Sequence, residues 1–290
     1  MLRRLVLCLV CCLLQGAQAW AEIVVRDDTG RTVVLARPAR RVITLSPHAT
    51  ELVFAAGGGD QIVATVTPSD YPPQARELPR IGDGVTPDPE RVAAYAPDLI
   101  VGWLPSQQEA LKVLNIPFFI SAPTSLAGVG DNIARLGELL GTAQTANQKT
   151  GEISSRLEAL LRAPPTTPVK VFLQVGHPAQ YTLNRNNLLS TVVALCGGQN
   201  VFAASGAAAP LISPESVLAR TPDVVLVGRP ASTTQPRQDP EALDYWKKNG
   251  LPAAQAGHVY MMDADVLFRP GPRLIEAADS ICTLFQQVRK

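Results

Sequence analysis

Two segments of this chain repeat one pattern, and this repeat constrains the fold more than any other feature. The first is PERVAAYAPDLIV, Pro89–Val101, and the second is PESVLARTPDVVL, Pro214–Leu226, 125 residues further on. In each copy a capping residue (Asp88 or Ser213) precedes a proline at the first helical position and a glutamate in the first turn. Pro-Asp then leads into a β-branched strand. The repeat predicts two similar lobes with a cleft between them, where two-lobed proteins commonly bind ligands.

A single helix between the two copies is predicted to join the lobes. It covers Ala143–Ala163, and its apolar residues Ile153, Leu157, Leu160 and Leu161 recur at helical spacing. The prolines from Pro164 onward end it, because proline lacks an amide hydrogen and clashes with the preceding turn. About 20 residues at 1.5 Å each give roughly 30 Å, enough to run along both lobes. The sequence thus predicts an α/β protein with two Rossmann-like lobes, 22–142 and 164–290.

The first 21 residues have the pattern of a secretory signal peptide. Arg3 and Arg4 precede the apolar run Leu5–Leu14, and small residues follow, with cleavage expected near Ala19 or Ala21. Ten apolar residues are too few to cross a bilayer, which needs about 20. We therefore expect a soluble, exported protein without a lipid anchor.

Cysteine content and charge restrict the mature protein further. Removing the signal peptide leaves Cys196 and Cys282, and an oxidising compartment favours one disulfide inside the second lobe. Two separate buried thiols are the alternative. With Arg3 and Arg4 removed, the chain has one more acidic than basic residue, so nothing favours nucleic acid or an anionic membrane surface.

Motifs of common enzyme classes are missing from the mature sequence. It contains no Gly-x-Ser-x-Gly, no phosphate-binding Gly-x-x-x-x-Gly-Lys, no HExxH and no Cys-x-x-Cys. Its histidines, His48, His177 and His258, are far apart, whereas zinc or manganese capture requires clustered neutral ligands. We expect a binding protein without catalytic cofactor or metal.

Several segments resemble one family across nearly the whole mature chain. They are RVITLSPHATELVFAAG, SDYPPQA, ERVAAYAPDLIVGW, VFLQVG, CGGQNVFA and SPESVLARTPD. They resemble the helical-backbone substrate-binding proteins of ABC importers, which carry corrinoids, haem and ferric siderophores, and within that family the cobalamin carriers. The resemblance implies a monomeric periplasmic receptor that captures cobalamin and delivers it to a permease dimer. Haem or a ferric siderophore is the alternative ligand. A single stiff linking helix implies only small closure on binding.

The same resemblance implies which residues meet the ligand. Flat rings would lie against the corrin, and an acid with an arginine, expected in a loop after the strand Val259–Met262, would meet its amide fringe. These residues are Tyr71, Trp103, Tyr181, Asp265 and Arg269. Ordinary packing and a surface ion pair are the competing interpretations. Two further aromatic positions of the pattern fall on Gly84 and Ala209, so this pocket is expected to be less aromatic.

Three other residues have two interpretations each. Glu90 and Glu215 either complement a helix dipole or, as the resemblance implies, dock arginines of the permease dimer. His48 follows Ser46-Pro47 where a helix opens toward the cleft, so it is either a hydrogen-bonding ligand contact or an axial metal ligand. Tyr71 on haem iron is the companion possibility. His177 and His258 are weaker candidates.

Overall fold

Two parallel sheets, one in each half of the chain, organise the structure. The computed structural model describes residues 22–161, 167–176, 180–230 and 234–289. The expected signal peptide with its two cleavage registers, and also His177, lie outside these residues.

The first lobe opens with a hairpin and continues into a four-stranded sheet. The hairpin pairs β1 and β2 antiparallel, and the sheet has the all-parallel order β4-β3-β5-β6. The strands are β1 (Ile23–Arg26), β2 (Thr32–Leu35), β3 (Val42–Thr44), β4 (Ile62–Ala64), β5 (Leu99–Gly102) and β6 (Phe118–Ile120). The helices are α1 (Pro47–Ala55), α2 (Pro89–Ala93), α3 (Pro105–Leu111) and α4 (Leu126–Leu140).

The second lobe follows the linking helix α5 (Ala143–Leu161) and repeats this arrangement. Its sheet order is β10-β11-β9-β7-β8, parallel except for β10. The strands are β7 (Val169–Val175), β8 (Gly198–Asn200), β9 (Val224–Arg229), β10 (Arg237–Gln238) and β11 (Val259–Asp263). The helices are α6 (Leu188–Leu195), α7 (Pro214–Leu218), α8 (Pro240–Lys248), α9 (Pro252–Gln255), α10 (Ala264–Phe268) and α11 (Pro272–Val288). In both lobes the parallel strands lie in the order second, first, third, fourth.

The sequence repeat corresponds to α2–β5 in one lobe and α7–β9 in the other. Asp88 and Ser213 cap the two helices, as predicted, with proline in the first turn of each. The correspondence extends to the backbone of the residue before Pro-Asp in each copy. Ala96 precedes Pro97-Asp98 and Thr221 precedes Pro222-Asp223, and their φ angles are both positive, 43° and 44°. The two copies therefore share a local backbone conformation as well as a sequence pattern.

One hydrophobic core passes through both lobes. Alternate strand residues face opposite sides of each sheet, so Val42 and Leu99 in one lobe join Val171 and Leu226 in the other within a single buried cluster. The opposite faces carry separate clusters, one in each lobe. A shared core restricts rotation of one lobe against the other.

The linking helix packs on α4 and touches α1 and α11. Gly137 allows the close approach, because a Cβ there would lie 2.2 Å from the Cβ of Ala146. Ile153 is buried as predicted, but the expected apolar stripe ends early, since Leu161 is 61% exposed. Residues 162–166, where the prolines were predicted to end the helix, lie outside the described residues.

The predicted disulfide is confirmed. Cys196, at the end of α6, bonds Cys282 in α11 with an S–S distance of 2.00 Å, and so fastens two helices of the second lobe. Across the described ranges, no helix combines the length and the apolar character needed to cross a bilayer.

Candidate functional site

The predicted ligand residues lie at the carboxyl ends of the parallel strands. His48 follows β3, Tyr71 follows β4, and Trp103 comes directly after β5. In the second lobe Tyr181 pairs with Val175 at the end of β7, and the Asp265–Arg269 segment follows β11. Ligands of open α/β sheets bind outside these strand ends. The fold therefore collects residues from five separate stretches of sequence at two sheet edges.

The two carboxyl edges face each other, because Arg269 of the second lobe reaches three groups of the first. Its guanidinium donates to Glu51 Oε1 at 3.2 Å, to Asp70 Oδ1 at 2.8 Å and to the Pro68 carbonyl at 3.1 Å. Partial burial acts to raise the pKa of Asp70, but the hydrogen bond and charge of Arg269 hold that pKa below its usual value. Arg269 thus fixes the loop that carries Tyr71 against the second lobe.

A second arginine, which the sequence reasoning missed, completes this contact. Arg273 donates from Nε to Glu51 Oε2 at 2.9 Å and from Nη2 to Oε1 at 2.6 Å. Glu51 is 4% exposed. Burial lowers the pKa of Arg273, but the hydrogen bonds and charge of Glu51 outweigh it and raise the pKa. The guanidinium also lies over the Tyr71 ring, 4.2 Å from its centroid, so one face of that ring is covered.

Asp265 and Arg269 do not lie in a loop as predicted. They lie in and directly after α10, which Asp263 caps by accepting from the Asp265 amide. A one-turn helix between a strand and Pro270 has too few residues to show helical periodicity. The turn brings Asp265 Oδ2 to 2.6 Å from Arg269 Nη2. Arg269 is therefore engaged by Glu51 and Asp70 across the lobes and by Asp265 within its own lobe.

Trp103 lies at the carboxyl edge of the first sheet and is 47% exposed. The His48 ring meets it edge to face, with centroids 5.8 Å apart. His48 Nε2 lies 2.9 Å from the Ser121 carbonyl oxygen, and since a carbonyl oxygen can only accept, Nε2 is the donor. His48 Nδ1 lies 3.1 Å from the Ser46 hydroxyl. Both ring nitrogens of His48 are thus engaged in hydrogen bonds in this conformation, and neither is free to act as an axial ligand of a metal ion.

Burial lowers the pKa of His48 to about 4, although the hydrogen bond to Ser121 acts in the opposite direction. The unfolded chain binds this proton near pH 6.5, well above the folded pKa. The stability gained by keeping the ring neutral is therefore complete above pH 6.5 and falls as the pH drops toward 4.

We predict that His48→Gln flattens this part of the stability profile, because a glutamine amide can donate to Ser121 without titrating. The free energy of unfolding of the wild type should drop by about 2 kcal/mol more than that of the variant between pH 7.5 and pH 5. Urea unfolding of both proteins in identical buffers measures the difference. Parallel profiles would show that His48 does not carry the pH dependence.

Gly84 has no room for the aromatic side chain that the family pattern places there. Its φ is +86°, and a Cβ would lie 2.5 Å from the Leu45 carbonyl oxygen and 2.6 Å from Val66 Cγ1. Beside it Val85 is 64% exposed, and in the second lobe Leu211 is 63% exposed. The exposure of Val85 and Leu211 was not predicted, because the sequence alone does not distinguish an exposed valine or leucine from a buried one.

Tyr181 is 44% exposed and bridges Val175 on one side and Leu211 on the other. Tyr71, Asp265 and Arg269 form one cluster with their partners, and His48 and Trp103 form another. Over the described ranges, no hydrogen bond or ring contact joins Tyr181 to either cluster. The structure thus brings the predicted residues to the carboxyl edges of the two sheets as three separate groups.

Two further predicted residues lie apart from these groups. Glu90 and Glu215 are both exposed, each in the first turn of its short helix. The hydrogen bond from the Ser213 hydroxyl lowers the pKa of Glu215.

The candidacy of His258 as a ligand residue was wrong. It precedes β11 and bonds the Asp223 carbonyl at 3.2 Å, so it lies at the amino edge, opposite the cleft. Within the part of the chain that the structure describes, no group of three or more His, Cys, Asp or Glu side chains is placed to hold a metal ion.

The carboxyl edges of the two sheets face each other, each edge carries an exposed aromatic ring, and one hydrophobic core passes through both lobes. These features define a two-lobed ligand-binding protein. A family described as periplasmic binding protein matches residues 42–266. The chain belongs to this periplasmic binding protein family.

Curated relatives share most of this chain. A vitamin B12-binding protein of Vibrio parahaemolyticus is 34% identical over 258 residues, which cover 87% of this chain and 92% of that protein. One from Yersinia pestis is 33% identical over 252 residues, covering 85% of this chain and 86% of that protein. These alignments extend over both lobes of this chain.

Solved structures agree in fold. The periplasmic vitamin B12-binding protein of Vibrio cholerae has a TM-score of 0.77 and 32% identity, covering 87% of this chain and 99% of that one. A periplasmic heme-binding protein from Roseiflexus has a TM-score of 0.73 and 25% identity, covering 87% of this chain and 100% of that one.

Proposed function

We propose that this protein is a periplasmic receptor that captures cobalamin between its two lobes and passes it to an ABC permease without changing it chemically. Exposed aromatic rings on facing carboxyl edges, in a chain one third identical to vitamin B12-binding proteins over both lobes, are the observation that carries this proposal. The proposal includes a division into lobes 22–142 and 164–290, export by a leader cleaved near Ala19 or Ala21, and action as a monomer.

The chemistry of the cleft suits a large, flat ligand with a polar rim. Trp103 and Tyr181 leave close to half of their surface free, and aromatic side chains bury large areas against planar partners. Tyr71 contributes its uncovered face, since Arg273 lies over the other. Asp265 and Arg269 lie in the same cluster as Tyr71, where a rearranged hydrogen bond from Arg269 would reach a ligand amide. A corrin with its amide side chains matches this combination.

Haem is the second candidate, because the Roseiflexus heme-binding protein shares the fold over the same share of this chain. His48 has no free ring nitrogen for iron, which leaves the Tyr71 hydroxyl as the candidate ligand in this cleft. Arg269 and Arg273, which are paired with Glu51, would have to rearrange to meet the haem carboxylates, as Arg269 would to meet a corrin amide. The occupied ring nitrogens of His48 favour the corrinoid over haem. A ferric siderophore is the remaining alternative.

We expect Trp103→Ala and Tyr181→Ala each to weaken cyanocobalamin binding by about 10- to 100-fold, the range typical of anchoring aromatic residues. Calorimetric titration measures the affinity, and thermal unfolding shows whether each variant is folded. Val113→Ala is the matched control, because this exposed apolar residue precedes β6 at the opposite edge. Unchanged affinity in both aromatic variants would place the ligand outside the cleft.

Glu90 and Glu215 are proposed as the docking residues for the permease dimer. Each is exposed in the first turn of the helix that leads into the third parallel strand of its lobe, β5 or β9, so the repeat places one acid on each lobe. Two like charges related by an internal repeat suit a partner built from two equal subunits.

A further inference from the structure

A buried glutamine, Gln107, makes four hydrogen bonds behind the cleft edge of the first lobe. Its Oε1 accepts from the backbone amides of Trp103 at 2.7 Å and Leu104 at 2.9 Å. Its Nε2 donates to the carbonyls of Leu45 at 3.1 Å and Gly84 at 2.6 Å. A side-chain amide has two donor hydrogens and an oxygen that accepts twice. Gln107 is 2% exposed, and its full bonding capacity is used inside the protein.

These four bonds join three segments that are distant in sequence. Leu45 follows β3, Gly84 lies in the loop between β4 and α2, and Trp103 follows β5. Gln107 is 62 residues from Leu45 and 23 from Gly84. Because these are the strand ends where the ligand residues stand, one side chain ties together the cleft edge of this lobe.

Two glycines make room for this convergence. At Gly102 a Cβ would lie 2.8 Å from Gln107 Oε1 and 2.4 Å from the Phe118 ring. At Gly84 a Cβ would lie 2.5 Å from the Leu45 carbonyl oxygen. At Gly84 the short contact is with backbone, and at Gly102 the side chains of Phe118 and Gln107 would have to shift. A side chain at either position would therefore disturb the packing around the Gln107 amide.

The segments that Gln107 holds present exposed apolar surface. Trp103 is bonded through its own amide and is 47% exposed, and Val85, directly after Gly84, is 64% exposed. A side chain on a fixed backbone loses less conformational freedom when a ligand covers it, which improves affinity without adding a contact.

We propose that Gln107 is a positioning residue for the cleft, which holds Trp103 and the Gly84–Val85 loop as a preformed apolar wall for a flat ligand. Its effect on affinity rests on the proposed function; its effect on Trp103 does not. A helix cap is the competing role, because Gln107 is the third residue of α3 and accepts from the Leu104 amide that precedes the helix. Capping accounts for that bond but not for the two bonds donated to other segments.

Two substitutions separate these roles. Gln107→Met keeps the length of the side chain and removes all four hydrogen bonds. Gln107→Glu keeps the acceptor for Trp103 and Leu104 but turns a carboxylate oxygen toward the carbonyls of Leu45 and Gly84. A cap alone would leave the glutamate variant close to wild type, whereas positioning requires both sides of the amide. Gln108→Met is the matched control, because Gln108 is the next residue of the same helix and its buried Oε1 has no hydrogen-bond partner within the described residues.

The first readout needs no ligand. Acrylamide quenching of tryptophan fluorescence, measured on protein that begins at Glu22, reports mainly on Trp103, because Trp246, the other tryptophan of residues 22–290, is fully buried. We expect stronger quenching in Gln107→Met than in wild type and in Gln108→Met. The second readout is cyanocobalamin affinity by calorimetry, which should fall about tenfold or more in both Gln107 variants, a factor that corresponds to about 1.4 kcal/mol.

The outcomes distinguish the two proposals. Wild-type protein that does not bind cyanocobalamin overturns the proposed function, while the quenching comparison still tests the positioning. Wild-type binding with unchanged quenching and affinity in Gln107→Met overturns the inference about Gln107. If Gln107→Glu matches wild type in affinity, Gln107 acts only as a helix cap, and the inference that it positions the cleft edge is overturned as well. If circular dichroism shows that Gln107→Met is unfolded, the glutamate variant decides.

Discussion

Glu51→Ala lowers the free energy of unfolding by about 3–5 kcal/mol, the cost expected when one partner of a buried ion pair is removed. Glu51 is 4% exposed and accepts both Arg273 bonds and one from Arg269. Without the carboxylate, Arg273 remains at 10% side-chain exposure with its main acceptor gone. Because Glu51 belongs to the first lobe and both arginines to the second, the loss also loosens the contact between the lobes.

Chemical unfolding of Glu51→Ala against wild type measures this effect. Glu276→Ala is the control, because it removes an ion pair with Lys149 in which the glutamate is 44% exposed. A pair this exposed contributes at most about 1 kcal/mol. A loss in Glu51→Ala no larger than in the control would show that the lobes are held by the shared hydrophobic core alone.

Simultaneous replacement of Glu90 and Glu215 by alanine abolishes uptake in cells that carry the permease, while the purified variant keeps wild-type cyanocobalamin affinity. The physical reason is that the proposed docking uses one carboxylate on each lobe, and the change removes the charge from both. Neither residue takes part in the Arg269 cluster or the Trp103 cluster, so the cleft is unchanged. Transport of labelled cobalamin and calorimetry of the same variant are the two measurements.

Glu77→Ala with Glu138→Ala is the matched control, since it removes the same number of exposed acids elsewhere on the first lobe. Normal uptake is expected there. Lost affinity in the Glu90 and Glu215 variant would place these acids at the ligand, and normal uptake in it would remove them from docking.

Local signals in the sequence were sufficient for the architecture. The repeat, the caps at Asp88 and Ser213, the linking helix from Ala143 and the Cys196–Cys282 bond all depend on neighbouring residues or on the count of cysteines. The periodicity of the linking helix did not predict the exposure of Leu161, since an apolar residue on one face of a helix is buried only where another element covers it.

Contacts between distant segments could not be read from the sequence. Glu51 and Arg273 are 222 residues apart, and nothing near either residue marks the other as a partner. Arg269 was expected to meet the amide fringe of the ligand together with Asp265, but its pairing with Asp70 appears only when the lobes are assembled. Gln107 was missed for a similar reason, because a glutamine at the start of a helix looks like a cap until the carbonyls of Leu45 and Gly84 are brought beside it.

Parallel titrations of the purified mature protein with cyanocobalamin and with hemin, followed by calorimetry and absorbance, test whether the two lobes hold a corrinoid between them. We expect saturable one-to-one binding of cyanocobalamin and no shift of the hemin spectrum. A hemin shift that disappears in Tyr71→Phe, with no heat from cyanocobalamin, would overturn the corrinoid proposal and make the protein a haem receptor.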